Sequence, residues 1–123
     1  PQAVSTRDAS VLDWSEPGHE PHAHMLGWYA ACSALRHRLL PIGSPLRLAD
    51  VLVSFDEAAR WVVVSHHGLA IAANLADHPQ TVPVPDGAVP LLRWADHGSE
   101  LRGISGEGLV LDPDDCAVLR LTP

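Results

Sequence analysis

The chain contains no lysine, and all eight of its basic residues are arginines. Against fifteen acidic residues they leave a formal net charge of −7. No stretch gathers them into the basic stripe that a phosphate backbone requires, which excludes nucleic-acid binding. No apolar run approaches about 18 residues, so no helix crossing a membrane is expected. Cysteine is scarce, and Cys32 and Cys116 are too few for a disulfide framework in 123 residues. Both sit in apolar settings and read as buried free thiols of a reducing compartment, so a cytoplasmic location is expected. Pro1 to Asp8 has neither a basic n-region nor an apolar h-region, and no signal peptide is expected there. Gly103, Gly106 and Gly108 precede no helix and therefore spell no phosphate loop.

What is present is divided unevenly. Residues 1 to 12 are polar and show no period, and Asp13 to Pro21 reads as a loop. Then Met25, Trp28, Tyr29, Cys32, Leu35 and Leu39 recur at three- and four-residue steps, the spacing of one stripe on an α-helix. Pro21 suits the first helical turn and Pro41 ends the run. A helix of about 18 residues is marginal alone in water. Burying each large side chain of the stripe is worth roughly 1.5–3 kcal/mol, so docking decides whether the helix forms. Its other face, with Leu26, Ala30, Ala31 and Ala34, is also small and apolar. A helix apolar on more than one side lies between two layers. The strands that follow can supply one of them.

From Pro41 the pattern changes. The Pro41 to Pro45 cluster marks a boundary, dividing the chain into residues 1–40 and residues 41–123. Period-two or short apolar runs predict strands over Leu46 to Phe55, Arg60 to His66, Leu69 to Leu75, Ala88 to Ala95 and Cys116 to Leu121. Thr81 to Pro85 is a Pro-flanked edge segment, and Leu101 to Leu111 holds one or two short strands around a turn. Seven or eight evenly spaced strands favour an antiparallel β-sandwich of Greek-key type, preceded by one amphipathic helix.

Candidate chemistry is thin. His19, Glu20, His22 and His24 match no metal spacing and read as a loop leading into the helix, so neither metal nor cofactor is expected. His66-His67-Gly68 is a hairpin tip. Asp56, Glu57, Asp112, Asp114 and Asp115 fall in turns, where Asp bonds its own backbone. Trp94 and Trp61 are candidate platforms for stacking on sugar rings, Trp94 being expected as the most exposed of the four tryptophans. The competing reading places Trp28 and Trp61 in the core and packs Trp14 against neighbouring structure.

The run Val11-Leu12-Asp13-Trp14-Ser15-Glu16-Pro17, followed by His22-Ala23-His24-Met25-Leu26-Gly27-Trp28-Tyr29 and Ala34-Leu35-Arg36, resembles the C-terminal region of the malto-oligosyltrehalose trehalohydrolases. These belong to the α-amylase superfamily of glycoside hydrolases. Phe55-Asp56, Arg60-Trp61-Val62-Val63, Asn74-Leu75 and the closing Leu109 to Leu121 are similar to that family's all-β C-terminal domain. The resemblance implies that residues 1–40 are the tail of a catalytic barrel, its last helix included, and that residues 41–123 are the β domain. It implies a parent enzyme that cleaves the α-1,4 bond next to the trehalose unit of maltooligosyl-trehalose. The family's catalytic carboxylates lie on upstream strands, so none is assigned here. It also implies a missing N-terminal barrel that Trp14, Met25, Leu26, Trp28, Tyr29 and Leu35 would contact. With that barrel absent, self-association through the helix is expected. Two alternatives stand beside this reading: a free-standing glucan-binding module, and the same domain of another α-amylase relative such as a glucan branching enzyme.

Overall fold

The computed structural model describes residues 3–40, 47–95, 104 and 108–122. The Pro41 to Pro45 boundary, the turn Asp96-His97-Gly98-Ser99 and most of the Gly103 to Glu107 stretch lie outside them. A short α1 (Val4–Asp8) and a 3-10 turn (Glu16–Gly18) precede α2 (His22–Leu39). A second 3-10 turn (Leu48–Asp50) leads into β1 (Leu52–Asp56), β2 (Trp61–His66) and β3 (Leu69–Asn74). Then come β4 (Gln80–Val82), β5 (Val89–Arg93), β6 (Leu109–Leu111) and β7 (Cys116–Arg120). The fold is mainly antiparallel β with one long helix before it. The polar start, where no period was visible, is helical over α1, and the strand expected from Leu46 begins only at Leu52 because Leu48–Asp50 turns first.

The strands form a five-stranded sheet in the order β1-β2-β3-β7-β5 and a two-stranded sheet of β4 and β6. Asp56 shapes the β1–β2 turn by accepting the Ala59 amide at 2.8 Å. At the β2–β3 tip, His67 (φ 48°) and Gly68 (φ 73°) both take left-handed backbone, the requirement of a type I′ hairpin. In β5 the register on β7 slips between Pro90 and Leu92, and Leu91 is the extra residue of a bulge beside a proline that has no amide to donate.

Alternation decides which face is core. Val63, Ala70, Ala72, Ala117 and Leu119 point from the large sheet toward Val82, Leu109 and Leu111 of the small one, and all are buried. Three alanines on one side leave room for large side chains from the other. Gly108 enters β6 at φ 137°, where a Cβ would lie 2.5 Å from the Val82 carbonyl oxygen.

Polar groups clamp one end of this core. Asn74 is fully buried; its amide donates to the carbonyls of His78, Leu111 and Asp112, and its Oδ1 accepts from the Ala76 amide and Gln80 Nε2. It thereby ties β3 to the end of β6. Arg93 is buried beside it, with Nε donating to Asp115 at 2.6 Å and Nη2 to Asp112 at 3.0 Å. Asp115 was expected to bond within its own turn. Instead it is 2% exposed, pairs with Arg93 and accepts the Ala95 amide.

Candidate functional site

The odd residues of β3 and the alternate residues of β2 and β7 form the outer face of the large sheet. Val64 stands opposite Ile71, and Ile71 opposite Val118. α2 lies over this face. Trp28, Cys32, Leu35 and Leu39 follow each other at four, three and four residues, and Leu35 is the one buried residue of the helix. Between helix and sheet runs an apolar groove of about 280 Å³ lined by Cys32, Leu35, Leu40, Val64, Leu69 and Ile71, among others. Leu40 closes the helix in extended backbone before Pro41, its amide donating to the Arg36 carbonyl.

The N-terminal half of α2 is fixed by aromatic rings. Trp94, directly after β5, stacks on the His24 ring at 4.1 Å and meets the Trp28 ring edge-on at 5.6 Å. His24 Nε2 also donates to the Trp94 carbonyl at 3.1 Å. Trp94 is therefore half-buried, not the exposed tryptophan expected, because the helix that precedes the sheet returns to cover it. Trp61 is half-buried and packs on the sandwich core. The most exposed tryptophan is Trp14, at 82%.

The other histidines of the approach separate. His19 Nδ1 donates to the Ser15 carbonyl, His22 faces Glu16 at 3.9 Å, and His24 serves Trp94. The Asp13-Trp14-Ser15 loop is an Asx turn in which the Ser15 hydroxyl and amide both donate to Asp13 Oδ1, holding its carboxyl below the usual range. Hydrogen bonding from His78 does the same for Asp77. Burial pushes both thiols above their ordinary value of 9.0, and at Cys116 the neighbouring Asp115 and Cys32 add to the rise.

The residues singled out for contact with a missing domain divide in two. Leu35 and Trp28 face the sheet and Trp94, whereas Trp14, Met25, Leu26 and Tyr29 are exposed, as are Val11 and Leu12 before them. On the sheet side, Val53 and Phe55 of β1, paired with Val64 and Val62, are exposed too. Along the run of chain from Val11 to Tyr29, every large apolar group except Trp28 is left exposed by the described residues. A cluster that went unnoticed in the sequence lies elsewhere, where Asp50, His66 and His67 bring ligand-type atoms within 4.8 Å of one another. Asp50 lay inside an expected strand, and only the β1–β2 register reveals its neighbours.

A family model described as a domain of unknown function (DUF3459) matches residues 46–118. Among curated proteins, the malto-oligosyltrehalose trehalohydrolase of Arthrobacter ramosus is 37% identical over 121 residues, covering 98% of this chain and 19% of its own length. That of Rhizobium sp. (strain M-11) is 36% identical over 120 residues, with the same coverage. The one from Mycobacterium tuberculosis (strain ATCC 25618 / H37Rv) is 36% identical over 110 residues, covering 85% of this chain and 18% of its own. The chain thus spans about a fifth of the length of these relatives and corresponds to their C-terminal region. It belongs to the DUF3459 family, in the form found at the C-terminal end of the malto-oligosyltrehalose trehalohydrolases.

Proposed function

We propose that the chain is the C-terminal part of a glycoside hydrolase that releases trehalose from maltooligosyl-trehalose by cleaving the α-1,4 bond next to the trehalose unit. Its role within that enzyme is to brace the catalytic barrel. The observation that carries this reading is the uncovered apolar face of Trp14, Met25, Leu26 and Tyr29, on a chain whose relatives are about five times longer. Exposed apolar area of this kind marks a contact surface. The reading leaves catalysis to the barrel. Retaining hydrolysis needs two carboxyls about 5–5.5 Å apart with the sugar between them, one of them protonated. Here the close carboxylates Asp112 and Asp115 both grip one buried guanidinium, which fills the space a substrate would need. The free thiols Cys32 and Cys116 support a cytoplasmic location.

The test compares the chain alone with the full-length enzyme. The chain alone should release no trehalose from maltooligosyl-trehalose and should self-associate in sedimentation. In the full-length enzyme, Leu26→Asp with Tyr29→Asp should lower thermal stability and activity together. Trehalose release by the chain alone, or a full-length enzyme indifferent to the double substitution, overturns the brace. Calorimetric titration with maltoheptaose separates a glucan-binding module, which would release heat that Trp94→Ala or Trp61→Ala abolishes.

A further inference from the structure

β1 runs antiparallel to β2 with Leu52 opposite Ser65. Extending that register two residues before the strand places Asp50, the end of its 3-10 turn, opposite His67 at the hairpin tip. The side chains converge accordingly, since one Asp50 carboxylate oxygen and one ring nitrogen from each of His66 and His67 lie within 4.8 Å of one another. The two imidazoles are held edge-on, with ring centres 4.0 Å apart and planes at 77°. His66 Nε2 is buried and has no hydrogen-bond partner. Native proteins ordinarily satisfy such an atom, and one left unmet asks for an explanation such as an ion.

We propose that Asp50, His66 and His67 form a binding site for a borderline divalent cation, for which zinc is the best match. Two neutral imidazoles and one carboxylate are a zinc-type donor set, whereas calcium and magnesium select all-oxygen surroundings. Zinc bonds of about 2.0–2.2 Å place ligand atoms about 3.3 Å apart in a tetrahedron. Asp50 and His67 are exposed, so rotation of their side chains can close the remaining distance, while the type I′ tip sets the backbone of His67. With three protein donors, the fourth position falls to water. Bound there, the ion fastens the hairpin tip to the segment entering β1, beside the groove under α2 that His66 also lines. His19, Glu20 and His22 take no part, because they face other partners.

The test titrates zinc into the untagged 123-residue chain. One ion per chain should bind with a micromolar or tighter dissociation constant, and magnesium should not compete. Substitution of outer partners alone weakens metal sites about 10–100-fold, so removing a ligand should cost at least about tenfold. His67→Asn deletes the imidazole yet tolerates the left-handed turn, and Asp50→Asn deletes the charge. Both should show that loss, while a double His19→Ala, His22→Ala control keeps the parent affinity. Should a variant lose its strand circular dichroism, the imidazole NMR signals of the unsubstituted chain decide: zinc should shift those of His66 and His67 and leave His19 and His22 in place. Absence of tight binding, affinity that survives both substitutions, affinity lost in the control, or shifts confined to His19 and His22 would each overturn the site.

Discussion

The helical arm and the β-sandwich are built by opposite means. In the sandwich the large residues Val82, Leu109, Leu111 and Leu119 are fully or almost fully buried, and Asn74 and Arg93 have their polar atoms met. In the arm, from Ala3 to Leu40, Leu35 is the only buried residue among those described. The sandwich contains its own reasons to fold, whereas the arm touches the sheet along one stripe and shows the rest of its apolar groups to solvent. Marginal helices take their stability from the surfaces they dock on. The difference teaches that the arm's apolar groups outnumber what the described residues of the β part cover.

The comparison breaks hardest at the sandwich's polar clamp. Asp115→Ala leaves the Arg93 guanidinium buried without its main partner, a change that costs about 3–5 kcal/mol. Urea unfolding should show that loss. Asp112→Ala should cost far less, because its side chain is 60% exposed and Arg93 keeps Asp115. Next in size is the apolar core. Leu119→Ala should lose about 2–5 kcal/mol, whereas Leu26→Ala in the arm should stay within about 0.5 kcal/mol in the isolated chain. Equal losses at Leu119 and Leu26 would erase the distinction between the regions. Hydrogen exchange sharpens it further: amides of α2 should open well before those of Ala70 to Asn74, since local opening follows buried contact.

The legible parts of the sequence were those where one local rule acts alone. His67-Gly68 could be read as a tip because a two-residue hairpin demands left-handed backbone. The helix from His22 to Leu39 could be read because Pro41 and the apolar spacing agree. The clamp was hidden because Asp112-Pro113-Asp114-Asp115 carries every mark of a solvated turn, and the arginine that recruits Asp115 is 22 positions away. Period-two alternation also says nothing of whether a charged residue such as Arg93 lies on the core face. Trp94 was misjudged for a related reason, since the ring that covers it, His24, is 70 positions earlier. Asp50 escaped because its turn sits where apolar residues suggested a strand, and its approach to His67 follows from pairing, which no local window contains.

The smallest effect concerns the seam where the two regions meet. Cys32 on α2 and Cys116 on β7 both sit on that seam, and burial raises both thiols above 9.0. A thiol is neutral when protonated, so a raised folded value means that the folded chain holds its proton where the unfolded chain has released it. The associated stability is whole below about pH 9 and is lost as pH rises through the folded values. Arg36 lines the groove beside Cys32, and Asp115 adjoins Cys116. Thermal unfolding followed from pH 7 to 10.5 should therefore fall more steeply in the natural chain than in a Cys32→Ala, Cys116→Ala variant. The Cys116 share should exceed that of Cys32, because Asp115 and Cys32 both add to its rise. Parallel slopes would mean that the thiols ionise equally well in the folded and unfolded chain. The seam would then be as wet as the arm's outer face, and the helix would owe its place to the Trp94 stack alone.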